Sequence, residues 1–286
     1  MSHSVGLKQA IQNLDSLPAM PVIAQKLLAL KLDSDEGERQ MMLLIEQDPL
    51  ISARIIGLGN SPLLGASRKA STVKEAALLL GLTKVKSIAT GIAMMSLTSK
   101  PIGRLDPQAL WLHNMTIAFA MLPVVRAMPF KLRPADDLIF LTGMLHDIGF
   151  LALAHLDSQL SDDLLTRMLI ETERPVISIE DELMGISHAE LGAEFARHWG
   201  LPSEIVAVLR YHHTPDAEGA QEAGPLARLI NVTEKLLSAT DLHEFVGHQV
   251  SDAEWEALGI DPDQANDIAL QAAEQADQAL QFGASF

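Results

Sequence analysis

The sequence predicts an all-α protein, and three observations carry that prediction. Of its 286 residues 48% are hydrophobic but only 4% aromatic, with Ala, Leu, Met, Glu and Gln plentiful, a composition that favours helix over sheet. Apolar residues recur at helical spacing, clearly so over residues 22–32 and 111–125. Ser/Thr-x-x-Glu capping boxes stand at Thr72 with Glu75, Ser187 with Glu190 and Ser251 with Glu254.

The elements follow in order. Leu17-Pro18-Ala19-Met20-Pro21 stiffens the chain ahead of a helix over 22–32. Ser34-Asp35-Glu36 caps the next, through 41–46, and Asp48-Pro49 breaks it before a third over 50–58. Asn60-Ser61-Pro62 reads as a turn, and Thr72 opens a short helix that Gly81 stops in the left-handed region. Pro101-Ile102-Gly103 and Asp106-Pro107 form the strongest breaker cluster, dividing an N-terminal helical lobe, residues 1–100, from a second lobe, residues 101–286. The second lobe opens with long apolar helical segments over 111–125 and 138–153. A capped helix runs from Ser187 to Gly200-Leu201-Pro202, and Ser203-Glu204 opens the one that carries His212-His213. After a polar loop over 216–224 come an apolar helix over 226–237, a capped helix at Ser251 and an amphipathic one from about Asp263. Neither half has an obviously complete core, so the lobes are expected to share an apolar interface.

With 21 basic and 37 acidic residues the formal charge is −16, which opposes adhesion to nucleic acid or to an anionic membrane. Cysteine is absent, so disulfides and thiolate ligands are excluded and His, Asp and Glu remain as metal donors. Met1-Ser2-His3-Ser4 has no basic-then-apolar leader and no apolar run reads as long enough to cross a bilayer, so a soluble cytoplasmic protein is expected. Charge is uneven: residues 84–133 hold seven bases against Asp106, while residues 216–286 hold fourteen acids against Arg228 and Lys235. These are either solvated faces or, at Lys84, Lys86, Arg104 or Arg126, contacts for a small anionic ligand.

The chemistry concentrates in Leu145-His146-Asp147-Ile148-Gly149, where two metal-type ligands interrupt an apolar stretch. A carboxylate in such surroundings needs a divalent metal, a hydrogen-bonded imidazole or a helix N-terminus to satisfy it. Five of the ten histidines, His113, His146, His188, His212 and His213, lie on helical segments that could converge with Asp147 in a bundle core. Adjacent helical residues point about 100° apart, so the His-Asp and His-His pairs suit two ions better than one. His3, His155, His198, His243 and His248 have no such pattern and read as structural, His198 as a cation at a helix C-terminus.

Read in order, Trp111-x-His113, His146-Asp147-Ile148-Gly149, His188-Ala189-Glu190-Leu191-Gly192-Ala193, Trp199-Gly200-Leu201-Pro202 and Tyr211-His212-His213 resemble the HDOD family, a bacterial signalling branch of the HD superfamily. Leu17-Pro18-Ala19-Met20-Pro21, Glu46-Gln47-Asp48-Pro49-Leu50, Asn60-Ser61-Pro62 and Ala76-x-x-x-Leu80-Gly81 resemble its opening half, so the likeness spans roughly residues 10–240. It implies a two-lobed helical bundle of the HD/HDOD type and a regulatory output module that acts through a signalling protein partner, generally without hydrolysis. The catalytic relatives hold a divalent metal pair, here iron, manganese or magnesium. By position His113, His146 and Asp147 match the first-metal ligands, and His188, His212 and His213 the second. Glu234 stands where those relatives close the site with aspartate. Phe150 follows His-Asp-Ile-Gly where cyclic-dinucleotide phosphodiesterases have lysine, Ala109 cannot supply the extra glutamate of three-metal relatives, and no Gly-Tyr-Pro follows His213. The alternative is a metal-dependent phosphohydrolase acting on a nucleotide or phosphodiester, with Asp147 bridging two metals.

Overall fold

Capping side chains set where the helices begin. The computed structural model describes residues 17–61, 69–95, 101–237 and 248–283, and among these the fold is all-α. After Pro21 come α1 (Val22–Ala29) and α2 (Asp35–Glu46), whose N-cap Ser34 accepts from the Gly37 N–H. Asp48 accepts from the Leu50 and Ile51 amides to start α3 (Pro49–Asn60). Thr72 caps α4 (Val73–Leu80), and Gly81, at φ +89°, lets the chain turn by 118° into α5 (Leu82–Met95).

Asp106 caps the long α6 (Pro107–Ala127). The apolar segment over 138–153, expected as one helix, is two: α7 (Asp136–Leu145) and α8 (Ile148–Leu156), broken at His146 and Asp147. Then follow α9 (Ser158–Ile170), α10 (Val176–Met184), α11 (His188–His198), α12 (Ser203–Tyr211), α13 (Gly224–Leu236), α14 (Asp252–Ala257) and α15 (Ala265–Gly283). The sequence reading passed over α9 and α10, since α9 buries only a narrow stripe at Leu160, Leu164 and Met168 and leaves Leu169 and Ile170 exposed.

One expectation is corrected here. Helix α6, with mean hydropathy 1.3, and the stretch Asp136–Leu156, with 1.5, are each 21 residues and are long and apolar enough to cross a bilayer. In the fold 83% and 89% of an 18-residue window in each are buried, so their apolar character serves the protein core. The leader reading at residues 1–4, Pro62, His3 and His243 lie outside the described residues.

Buried apolar side chains run as one cluster from Leu17 to Ala279. Contacts cross the expected boundary at residues 101–107: α5 packs on α7, and the Arg54 guanidinium of α3 lies 4.2 Å over the Trp111 ring of α6. The Trp199 indole N–H donates to the Pro18 carbonyl at 2.9 Å, tying the end of α11 to the entry of α1.

Helices α8 and α11 cross where each carries a glycine. A Cβ on Gly149 would lie 1.9 Å from the His188 carbonyl oxygen, and one on Gly192 would lie 3.1 Å from the Gly149 nitrogen. The crossing therefore brings the backbones of two ligand-bearing helices into contact. Gly149→Ala should force them apart and cost about 1–3 kcal/mol, read as a lower urea midpoint at unchanged slope.

Candidate metal centre

The break between α7 and α8 creates the site. Asp147 leaves helical geometry at φ −100° and ψ 16°, occupying the N-cap of α8, yet its carboxylate caps no amide there. It is fully buried, and neither oxygen has a hydrogen-bond partner among the described residues. A buried, unpaired carboxylate is costly, so its surroundings must compensate it.

The residues expected as ligands from the sequence gather in one cluster with that carboxylate. Asp147 Oδ2 lies 3.3 Å from His113 Nε2 of α6 and 3.2 Å from His146 Nε2, which is itself 3.0 Å from Glu234 Oε1 of α13. Asp147 Oδ1 lies 3.5 Å from His188 Nε2 and 3.8 Å from His212 Nε2, with His213 Nε2 3.0 Å from His188 Nε2. Two ligand groups result, His113/His146/Asp147/Glu234 and His188/His212/His213, the donor atoms of each within 4.8 Å of one another. Despite these approaches His113 Nε2, His146 Nε2 and both oxygens of Asp147 and Glu234 lack hydrogen-bond geometry. Lone-pair atoms gathered this way without hydrogen bonds suit a shared cation.

The second nitrogen of three imidazoles is already committed. His146 Nδ1 lies 2.8 Å from the Gly143 carbonyl oxygen and His212 Nδ1 2.7 Å from that of Leu209. A carbonyl only accepts, so Nδ1 carries a proton in both and Nε2 is the atom that can bind a metal once it is unprotonated. His188 Nδ1 donates to Glu180 Oε1 at 2.8 Å, with the same consequence. The Nε2 atoms of His188 and His212 lie 3.4 Å apart, close enough to share a proton or a cation. Set by these contacts, the residues present fit a pair of divalent metals.

In the metal-free chain, protons supply the positive charge that the carboxylates require. Burial opposes a charged His146, but the Asp147 carboxylate and then Glu234 outweigh it and raise the imidazole to about 10. Burial likewise opposes the Asp147 charge, and the His146 imidazole and the His113 contact hold its carboxyl well below the usual range. Burial, followed by the positive charge of His188 and His146, pushes His212 down to about 3 and keeps it neutral.

Sequence reasoning missed the supports. Glu180 is fully buried beneath His188, but in Ile179-Glu180-Asp181-Glu182 it reads like a solvated acidic face. Asn231 Nδ2 donates to the His212 carbonyl and Asn114 Nδ2 to that of Met144, each fixing the backbone beside a ligand. Phe150 stacks on His188 at 4.3 Å between ring centroids. The candidate anion contacts do not join the centre. Lys86 donates to the Leu28 and Leu30 carbonyls at the end of α1, Lys84 is half-buried near Asp136 and Arg126, Arg126 lies about 20 Å along α6 from His113, and Arg104 is exposed.

Two outcomes follow. Since His146 is raised above its unfolded value of 6.5, it contributes stability to metal-free protein that is full below that value and lost as pH rises through about 10. Chelator-treated protein should lose urea resistance between neutral pH and about 10, and His146→Gln should flatten that slope. Glu180→Gln removes the carboxylate that orients His188, and metal affinity should fall about 10- to 100-fold by chelator competition.

A family model for the HDOD domain matches residues 17–215. Among solved structures, a Marinobacter aquaeolei VT8 protein provisionally named a signal transduction protein is similar over 98% of this chain and 64% of its own, at 23% identity and TM-score 0.78. A Shewanella amazonensis SB2B protein provisionally named a phosphohydrolase is similar over 98% of both chains, at 22% identity and TM-score 0.73. An uncharacterized protein of Treponema pallidum (strain Nichols) is 24% identical over 215 residues, 72% of this chain, which spans 40% of that relative's length. The solved structures carry the fold, and the match over residues 17–215 carries the family: the chain belongs to the HDOD domain family.

Proposed function

We propose that this chain is a regulatory module of cytoplasmic bacterial signalling, in which a divalent metal pair fixes the helical core and a partner protein reads the surface. The observation that carries this reading is the enclosure of the ligand set. His146, Asp147, His188 and His212 have no exposed surface, and of the seven ligands only His213 is half-buried. Structural metal sites are closed, whereas catalytic ones keep a position open to water and substrate. Phe150 covers His188 with an apolar ring.

A second reading is favoured by the completeness of the donor set, which supplies two groups sharing Asp147. In it the chain is a metal-dependent phosphohydrolase for a phosphodiester or nucleotide. Bound metals would activate water and polarise a phosphate oxygen. The chain's own part is to hold both Asp147 oxygens toward the two groups and to keep His146 and His188 in the tautomer that leaves Nε2 available. Five imidazoles among the seven donors favour iron over magnesium, which prefers an all-oxygen shell.

The test is a hydrolysis screen of protein reconstituted with manganese or iron, against phosphodiesters and nucleotides, with metal content measured in parallel. The module reading expects bound metal and turnover far below the enzyme median of ~10 per second; turnover near that median establishes the second reading instead. Glu234→Asp should tighten metal binding, and Asp147→Ala should abolish it.

A further inference from the structure

Beside the metal centre lies a cavity of about 380 Å³, within the usual range of small-molecule sites of roughly 300–1,000 Å³. It is bounded by three helices: one face of α6 (Ala109, Leu112, His113, Thr116), the end of α13 (Leu236, Leu237) and a face of α15 that includes Ala276 and Asp277. The walls on α13 and α15 lie beyond the segment matched by the family model. The sequence contributes by what is small. Ala109 lies one helical turn before His113, and Ala273 and Ala276 line the cavity from α15, so the space is left open by short side chains.

Its polar groups are few and specific. His113 differs from His146, His188 and His212 in one respect: its Nε2 faces Asp147 like theirs, but no described residue accepts from or donates to its Nδ1. Nδ1 is also absent from the fully buried unpaired atoms, which leaves it reachable from the cavity that the ring lines. One turn along α6, the Thr116 hydroxyl donates to the Leu112 carbonyl at 2.8 Å and so has only lone pairs left to offer. No Lys or Arg lines the space, and its one carboxylate, Asp277, is exposed at the mouth. An anionic ligand would find no partner there and would meet a like charge.

From these groups we infer a second site: the cavity binds an uncharged, largely apolar small molecule whose alcohol or primary-amide head accepts a hydrogen bond from His113 and donates one to Thr116. The leucines of α6, α13 and α15 bury its body. The donor role of His113 Nδ1 rests on the metal reading, because a metal at Nε2 fixes the proton on Nδ1. The ligand would then supply the outer partner that the fold provides to the other histidines, and its binding would strengthen the metal's hold on His113.

Octanamide is a suitable probe, because its amide can serve either tautomer of His113 and so binds whether or not metal is present. Calorimetric titration of the full chain, in chelator-treated and manganese-loaded forms, should give saturable binding of octanamide and much weaker binding of octanoate. Thr116→Val should weaken binding roughly 2- to 10-fold, the worth of one hydrogen bond. Ala276→Leu should abolish it by filling the space, and Ala273→Leu, at an exposed position that cannot upset the core, should weaken it. Absence of saturable octanamide binding in both forms overturns the site, as does equal binding of octanoate or unchanged binding in both alanine variants. If manganese fails to load while octanamide still binds, the metal reading falls and the cavity stands. If both bind but octanamide leaves manganese affinity unchanged, the link through His113 falls.

Discussion

Everything in this fold is arranged around one carboxylate that has no hydrogen bond. Asp147 sits at the N-cap of α8, where an aspartate ordinarily accepts from the helix amides, and it does not do so. Its oxygens instead face imidazoles from α6, α11 and the end of α12, beside His146 at the end of α7. A cap is surrendered and a charge is buried at one position. Such a residue persists when the surroundings supply a larger compensation, and positive charge shared among the ligands, as protons or as metal, is that compensation. The break between α7 and α8 has the same origin: an unbroken helix would point His146 and Asp147 about 100° apart on one axis, whereas the break turns both toward the centre.

The supports extend the constraint outward. Gly149 and Gly192 let α8 and α11 touch, which brings His188 within reach of Asp147. Glu180, Gly143 and Leu209 each accept a hydrogen bond from an imidazole Nδ1, fixing which nitrogen faces inward. The first helices are coupled to this centre by packing. Arg54 lies over Trp111, two residues before His113, and Trp199, at the end of the helix that begins with His188, bonds back to Pro18. Packed elements therefore connect the centre to the N-terminal helices.

Much of this was legible in the sequence because it is chemistry at short range. Caps at Ser34, Asp48, Thr72 and Ser187 are local hydrogen bonds, and the residues that make them announce the helix starts. The ligands were legible because His146-Asp147 and His212-His213 stand out from apolar surroundings and because their order resembles a known family. What stayed hidden depends on packing. Glu180 is one acid among several until the fold buries it under His188, and α9 has too narrow an apolar stripe to declare itself. The break at His146-Asp147 is invisible to periodicity, since apolar residues continue on both sides. Two spans of bilayer length were likewise misjudged, because a helix buried on all sides and a membrane helix share one composition.

The measurement that bears most directly on this account is anomalous X-ray scattering at the manganese edge from crystals of the full chain grown with that metal. The account predicts two maxima flanking the Asp147 carboxylate, one among His113, His146 and Glu234 and the other among His188, His212 and His213. No maximum at Asp147, with His146 hydrogen-bonded directly to the carboxylates, would contradict it and leave the cluster a buried proton-sharing network.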